Sequence, residues 1–104
     1  MTLLDLRLLW TFVAVAEEQS ITKAAARLYL AQQTVSEQIR KLEHALGVEL
    51  LSREPRGVAT TPAGRELAAF GQALAVELDE LVGRLRTIAD DAGQQSSAAG
   101  EVTP

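Results

Sequence analysis

The chain has 104 residues, no cysteine and a net charge of −4, and 47% of its residues are hydrophobic. This length suits one domain with a modest core. The lack of cysteine excludes disulfides and thiolate metal sites. The apolar runs are far shorter than the roughly 20 residues that cross a bilayer, and Asp5 and Arg7 interrupt the N-terminal apolar stretch. We therefore expect neither a membrane span nor a signal peptide.

The negative charge is concentrated in the C-terminal part of the chain. Residues 1–60 hold seven Lys or Arg and seven Asp or Glu, whereas residues 61–104 hold three Arg and seven Asp or Glu. Binding to an anionic partner depends more on local charge than on the total. The N-terminal part is therefore compatible with phosphate contacts, although it carries no strong basic patch.

Hydrophobic spacing predicts three helices in the first half of the chain. We expect the first at Leu4–Glu18 and the second at about Thr22–Tyr29, with Ser20 or Thr22 as its N-cap. The third should span about Gln32–Leu46 and end at Gly47. Apolar residues at helical spacing predict the buried faces of the first and third helices: Leu9, Phe12, Val13, Val15 and Ala16 in the first, and Val35, Ile39, Leu42 and Leu46 in the third. Leu30 should fill the angle between the second and third helices.

The segment Ile21–Arg40 has the layout of a helix-turn-helix that reads DNA. Its second helix begins with small polar side chains that can bond base edges in the major groove: Gln32, Gln33, Thr34 and Ser36. Solvated and capping groups at a helix start are the alternative interpretation of the same residues.

A small hairpin should follow the third helix. Two short apolar segments, ending at Leu51 and starting at Val58, flank the turn residues Glu54–Gly57. Arg53 and Arg56 lie near its tip, where they would either touch the DNA backbone or minor groove or remain in a solvated loop.

A long helix is predicted from Pro62 to about Asp91, with Thr61 as its N-cap. Leucine and isoleucine recur along it in a heptad pattern, which predicts a partner helix. The expected interface residues are Leu67, Leu74, Leu78, Leu81, Leu85 and Ile88. Residues 93–104 lack periodicity and are expected to form a flexible tail or interdomain linker.

The remaining charged groups do not form a catalytic or metal-binding pattern. Arg40 and Lys41 could reach phosphates, or could pair with Glu37 or Glu43 on the same helix. His44 has no second ligand nearby in sequence. No nucleophile–base set, phosphate loop or metal spacing is present, so we expect no enzyme, metal or cofactor.

The combined pattern resembles the N-terminal DNA-binding region of LysR-type transcriptional regulators over residues 3 to about 90. The matching residues are Leu9, Phe12, Glu17, Ser20, Ala24, Ala25, Leu28, Gln32, Ser36, Ile39, Leu42, Glu43, Leu46, Gly47, Leu50, Arg53, Arg56, Gly57, Thr61, Ala63 and Gly64. The resemblance implies a winged helix-turn-helix, a dimerisation helix and a larger C-terminal effector-binding domain outside these residues. It implies that Gln32, Gln33, Thr34, Ser36 and Glu37 face the operator and that Arg53 and Arg56 belong to the wing. We count Thr22 and Arg40 among the candidate DNA contacts as well.

Four residues depart from the family's usual pattern. Ala31 replaces a common Ser, Gln33 a common Pro, and Leu51 a common Phe. The first two changes remove a cap and a rigid first-turn residue from the third helix. Glu37 stands where Arg or Lys is usual, and its carboxylate would either repel phosphate or accept a hydrogen bond from cytosine N4.

The sequence therefore predicts a mainly α fold, with a winged helix-turn-helix at residues 1–61 and a dimerisation helix at 62–92. We expect sequence-specific binding to double-stranded DNA in bacterial, cytoplasmic gene control, by a homodimer or, in a full-length protein, a tetramer. A small-molecule effector would bind only through the C-terminal domain. The alternative is a protein-interaction module that pairs with a full-length regulator through its long helix.

Overall fold

A computed structural model describes the backbone of residues 4–102 and the side chains of residues 4–93. Its elements, in chain order, are α1 (Leu6–Glu18), α2 (Ile21–Leu28), α3 (Gln32–Leu46), β1 (Leu51–Glu54), β2 (Gly57–Thr60) and α4 (Pro62–Val102). The predicted mainly α fold, with three helices, a two-stranded wing and a long last helix, is confirmed. The chain divides into two compact units, Met1–Gln72, which we call the head, and Ala73–Pro104.

Side-chain caps fix the starts of three helices in the head. The Asp5 carboxylate accepts from the Arg7 N–H at 2.9 Å, so α1 begins at Leu6 and not at Leu4. The Ser20 hydroxyl accepts from the Lys23 N–H at 3.1 Å, which makes Ser20 the N-cap of α2. Thr61 caps α4 by accepting from the Gly64 N–H at 3.0 Å. Each such cap satisfies an N–H group that the helix itself leaves free.

The core of the head lies between α1, α2 and α3, and its largest fully buried side chains are Phe12, Leu9, Leu42, Leu50, Val15 and Val35. Each fully buried side chain of this kind contributes about 1.5–3 kcal/mol. Val35, Ile39 and Leu42 are buried and Leu46 is partly buried, so the predicted stripe of α3 is confirmed. Leu30, which was predicted to fill the angle between α2 and α3, is 37% exposed, so it is not a core residue.

Two glycines let the start of α4 approach the head closely. A Cβ atom on Gly64 would collide with the carbonyl oxygen of Leu50, and one on Gly71 would lie 2.5 Å from Cγ2 of Val13. Leu67 and Ala68, between them, pack against the core. The first turns of α4 are therefore part of the head.

The predicted end of the long helix near Asp91 is wrong, because α4 continues to Val102. Gly93 weakens a helix by about 1 kcal/mol relative to alanine, but no proline follows until Pro104, so nothing forces the helix to stop. Residues 103 and 104 of the predicted tail lie outside the described residues. Within the described part, no helix combines the length and hydropathy needed to cross a bilayer.

Candidate nucleic-acid interface

The turn between α2 and α3 is short and begins with a residue in the left-handed conformation. Tyr29 ends α2 with φ of 57°, and the Leu30 N–H donates back to the Ala25 carbonyl at 2.9 Å. Ala31 then takes an extended conformation, and α3 begins at Gln32. The buried pair Ala24 and Ala25 lies in α2 and belongs to the core that also contains Val35 of α3. Small side chains here allow the two helices to pack closely, as a helix-turn-helix requires.

The first two turns of α3 present polar side chains to solvent. Gln32, Gln33 and Glu37 are exposed, whereas Thr34 and Ser36 are half-buried. Ala31 makes no side-chain cap hydrogen bond, so the predicted loss of a cap at this helix start is confirmed. The first N–H groups of α3 consequently lack the partner that Ser20 and Thr61 supply to α2 and α4.

The hairpin forms the predicted wing beside α3. Strands β1 and β2 are antiparallel, and Glu54 pairs with Gly57 across a turn formed by Pro55 and Arg56. Gly57 has φ of 139°, and a Cβ atom there would lie 2.8 Å from the carbonyl oxygen of Gln19. The wing therefore passes close to the turn between α1 and α2. Arg53 and Arg56 are both exposed on the wing.

Two side chains attach the base of the wing. The Glu43 carboxylate of α3 accepts from the N–H groups of Leu50 at 2.8 Å and Leu51 at 3.4 Å. Thr61, besides capping α4, donates from its hydroxyl to the carbonyl of Glu49 at 2.7 Å. These bonds connect the end of α3, the start of the wing and the start of α4. They give the wing a defined position relative to α3.

A small concavity of about 70 Å³ lies between α3 and the wing. Ser36 and Arg40 of α3 and Arg53 of β1 line it, together with Ile21, Ile39, Glu43, Leu51 and Val58. Two arginines and a serine therefore line the concavity together with four apolar residues. One oxygen of the Glu43 carboxylate already accepts from the N–H groups of Leu50 and Leu51. Guanidinium groups and a hydroxyl around a concave surface suit a phosphate group.

Arg40 and Lys41 do not pair with Glu37 or Glu43. In the part of the chain with described side chains, the ion pairs are formed by Arg7 with Asp5 and by Arg27 with Glu17 and Glu18. The intrahelical pairing that the sequence left open for Arg40 and Lys41 is thus absent among these residues. Arg40, Arg53 and Arg56 keep their charge available for an anionic partner.

A second polar cluster connects α1, α2 and α4 and shares no residue with the lining of the concavity. The guanidinium of Arg27 lies 2.8 Å from one Glu17 oxygen, and the Gln72 amide donates to the other at 2.9 Å. The hydrogen bonds from Gln72 and Arg27 lower the pKa of Glu17 below its ordinary value of 4.5, and the bond to Glu17 raises the pKa of Arg27. Sequence patterns gave no sign of this cluster, because Gln72 is far from Glu17 along the chain.

The structure brings together only some of the candidate DNA contacts. Ser36, Arg40 and Arg53 share the concavity, whereas Gln32, Gln33, Thr34 and Glu37 lie on the first two turns of α3 outside it. Thr22 is exposed in the first turn of α2, and Arg56 lies at the wing turn. Glu43 was not predicted as a functional residue. Its hydrogen bonds to the Leu50 and Leu51 N–H groups join α3 to another element, which helical spacing cannot reveal.

The unit Ala73–Pro104 presents the predicted apolar row on a single helix. Leu81 is 40% exposed, Leu85 52% and Ile88 62%, while Leu74 and Leu78 are half-buried. Leu67, the first residue of the predicted seam, packs against the core of the head instead. The part of the seam that lies open to solvent therefore belongs to the second unit.

The chain resembles known regulators in both sequence and structure. Residues 6–65 match the model of the bacterial regulatory helix-turn-helix proteins of the lysR family. The regulator BenM of Acinetobacter baylyi is 45% identical over 83% of this chain and 28% of its own length. The activator AllS of Klebsiella pneumoniae is 41% identical over 91% of this chain and 35% of its own length. The chain thus spans about a third or less of these relatives.

Two solved structures with similar folds contain DNA. The complex of the BenM DNA-binding domain with catB site 1 DNA superposes with a TM-score of 0.78 at 46% identity, covering 82% of this chain and 94% of that one. The complex of the CbnR DNA-binding domain with DNA gives a TM-score of 0.76 at 34% identity, covering 82% and 98%.

Proposed function

This chain belongs to the lysR family of bacterial regulatory helix-turn-helix proteins, and from that membership we propose that it is the DNA-binding part of a transcriptional regulator. It binds double-stranded DNA with sequence preference and has no enzymatic role. The observation that carries the proposal is the convergence of Ser36, Arg40 and Arg53 on one concavity between α3 and the wing. A helix and a wing that present cations together match a groove and its flanking phosphates.

We assign base reading to the start of α3, the recognition helix. Gln32 and Gln33 are exposed there, and a glutamine amide can bond adenine through both its donor and its acceptor. Thr34 and Ser36 supply short hydroxyls that adapt to base edges or phosphate. Thr22, exposed at the start of α2, is assigned as a further DNA contact. Glu37 shares the exposed face and opposes phosphate by its charge.

We assign phosphate contacts to Arg40, Arg53 and Arg56. All three are exposed and take part in none of the ion pairs among the described side chains. Each phosphate that such a cation neutralises releases counterions, so binding should weaken steeply as salt rises. The remaining negative charge of the chain lies mainly beyond residue 60, away from these groups along the sequence.

The protein acts as a homodimer, with α4 as the dimer helix. Leu81, Leu85 and Ile88 would otherwise leave a row of apolar side chains in water, and Leu74 and Leu78 continue that row. In a full-length protein with the length of BenM or AllS, a C-terminal domain would bind a small-molecule effector, and tetramers would form. Such a regulator acts in the bacterial cytoplasm.

A second candidate function is pairing with a full-length regulator without binding DNA well. The net charge of −4 and the exposed Glu37 favour it. Titration of the chain with a random duplex at about 50 and about 200 mM salt separates the two functions, because phosphate contacts weaken strongly over this range. Steep loss of affinity with salt supports DNA binding, whereas weak binding that salt does not change supports the second candidate.

A further inference from the structure

Thr11 is a polar residue in the core that bonds α1 to the recognition helix. It is 5% exposed, and its hydroxyl donates to Oε1 of Gln38 at 2.6 Å. Within residues 4–93 it is the only polar residue classed as buried. The two residues are 27 positions apart, so the bond serves neither helix locally.

The other buried groups of α1 and α3 are apolar. Phe12 and Val15 of α1 share the core with Val35, Ile39 and Leu42 of α3. Apolar contacts depend on buried area and have no preferred direction. Such contacts alone would leave a helix some freedom to rotate or slide. The Glu43 carboxylate attaches the C-terminal half of α3 to the base of the wing, whereas the Thr11–Gln38 bond attaches α3 to α1 at a point five residues closer to its start. A hydrogen bond is directional, and a buried hydroxyl that loses its partner costs free energy.

The position of Gln38 gives this bond its importance. Gln38 follows Glu37 directly and lies one helical turn after Thr34. One residue step rotates a helix by about 100°, so fixing Gln38 also fixes the direction in which Thr34 and Glu37 point. Gln33 lies on the same exposed part of the helix.

We propose that Thr11 and Gln38 are positioning residues that set the rotation of α3 and thereby its discrimination between base sequences. The inference rests on the proposed function, because it concerns how the DNA-reading face is aimed. Polar pairs in the interior are known to fix register in other packed helices at the expense of stability. In this chain Thr11 is buried and Gln38 is half-buried. The same pair here aligns the side chains that reach base edges, which need close alignment to discriminate.

The test compares stability with discrimination in matched variants. Thr11→Val and Gln38→Met each remove one partner, and together they give an apolar pair of similar size. We expect each single variant to lower the urea midpoint and the double variant to recover much of it, since two apolar partners leave no unsatisfied group. Discrimination is the affinity ratio between a duplex selected by the unmodified chain from a random library and a shuffled duplex. We expect the double variant to lose about tenfold in this ratio.

Two controls separate positioning from simple stability. Thr11→Ser keeps the hydroxyl and should keep the discrimination ratio. Ala16→Gly weakens α1 through lower helix propensity and the loss of a partly buried methyl group, while Thr11 and Gln38 are retained. It should lower the urea midpoint and leave the ratio unchanged. Residual dipolar couplings of the α3 amides, measured without DNA, should differ between the unmodified chain and the double variant.

The outcomes distinguish the inference from the function on which it rests. If the unmodified chain binds no duplex in a salt-dependent way, the proposed function is wrong and the inference fails with it. If the unmodified chain binds but the double variant discriminates equally well, only the inference is wrong. A ratio that follows the urea midpoint in every variant, or α3 couplings that do not change, would also overturn it.

Discussion

At the residue scale, Ala31 predicts how much the missing N-cap hydroxyl of α3 costs in free energy of unfolding. It occupies the N-cap of α3 without a side-chain hydrogen bond, whereas Ser20 fills the same position for α2. Ala31→Ser should raise the free energy of unfolding by about 1 kcal/mol, because the hydroxyl can accept from a free N–H of the first turn.

Ser20→Ala is the matched control for this prediction and should lower the free energy of unfolding by a similar amount. Urea denaturation of both variants measures the two changes. Neither variant should alter the base sequence selected from a random library. A flat or lower midpoint for Ala31→Ser would show that a serine at the start of α3 does not cap the helix.

Two roles are open to the Glu37 carboxylate: it can repel phosphate, or it can accept a hydrogen bond from a cytosine amino group. It is exposed on α3 and forms no ion pair among the described side chains. We predict that Glu37→Arg tightens binding to every duplex and steepens the salt dependence, because the carboxylate now repels phosphate. Glu77→Arg makes the same charge change on α4 and should have a much smaller effect.

Selection of binding sites from random DNA with both proteins tests the repulsion at Glu37. The same preferred sequence for both would support it. A preference that changes at one symmetric base pair would instead assign Glu37 to direct reading of cytosine, with about 1–3 kcal/mol of discrimination at that position.

At the scale of elements, we predict that the wing contacts phosphate independently of the base-reading start of α3. Arg53→Ala and Arg56→Ala should each weaken binding to all sequences alike and reduce the salt slope by about one unit for each lost phosphate contact. Arg86→Ala removes an exposed arginine from α4 and serves as the control. Salt titrations with one selected duplex and one random duplex measure the slopes, and unchanged slopes in both wing variants would place these arginines in solvent.

The cluster that connects α1, α2 and α4 predicts a dependence of stability on pH. The pKa of Glu17 is lowered by hydrogen bonds from Gln72 and Arg27. The ionised carboxylate therefore stabilises the fold fully above its ordinary pKa of 4.5, and this contribution is lost as the pH falls through the lower pKa of the folded state.

Glu17→Gln should consequently be less stable than the unmodified chain at pH 7, and the difference should shrink as the pH falls below 4.5. Glu49→Gln removes an exposed carboxylate from the segment before the wing and is the matched control for the loss of one negative charge. Thermal melts between pH 3 and 7 (roughly the range of carboxylate titration) measure both. Parallel curves for Glu17→Gln and the unmodified chain would contradict the prediction.

Element positions were predictable wherever the signal is local. The spacing of Val35, Ile39 and Leu42 defined the buried side of α3, and Gly47 and Thr61 marked a helix end and a helix start. The continuation of α4 beyond Asp91 was missed because small polar residues give no apolar period, although they do not prevent a helix. Periodicity shows which side of a helix is buried but not what lies against it.

The candidate site was predictable by residue type but not by arrangement. The arginines and the polar start of α3 could be named from the sequence. The contacts that arrange them join different elements. Arg40 and Arg53 share a concavity, Glu43 bonds to the wing, and Thr11 bonds to Gln38. Such contacts depend on tertiary packing, which no spacing rule encodes.

At the scale of the whole molecule, the assembly should depend on the second unit. Changing both Leu74 and Leu81 to Lys should give monomers, because two charges would then interrupt the apolar seam. DNA binding should also weaken sharply, since the two half-sites would have to bind separately. Val76→Lys adds a charge at an exposed position off the seam and should leave the dimer intact.

Sedimentation at micromolar concentrations measures the state of each of these variants. An unmodified chain that sediments as a monomer at high micromolar concentration would show that the seam does not form a dimer in this protein. A dimer that persists in the double lysine variant would show that other residues hold the two copies together.

The close approach of Gly57 to Gln19 bears on the spacing of the DNA sites that this chain should bind. Glu43 and Thr61 attach the wing at its base, and Gly57 lies against the turn after α1. Of the wing, only the turn residues Pro55 and Arg56 should therefore move easily. These attachments should keep the separation between the wing turn and the start of α3 nearly constant before DNA binds. One inserted base pair moves the flanking DNA by about 3.4 Å, and we expect a wing held in this way not to follow such a shift. We therefore expect the DNA sites of this chain to tolerate a changed base within the groove more readily than a changed spacing between the groove and the flanking phosphates.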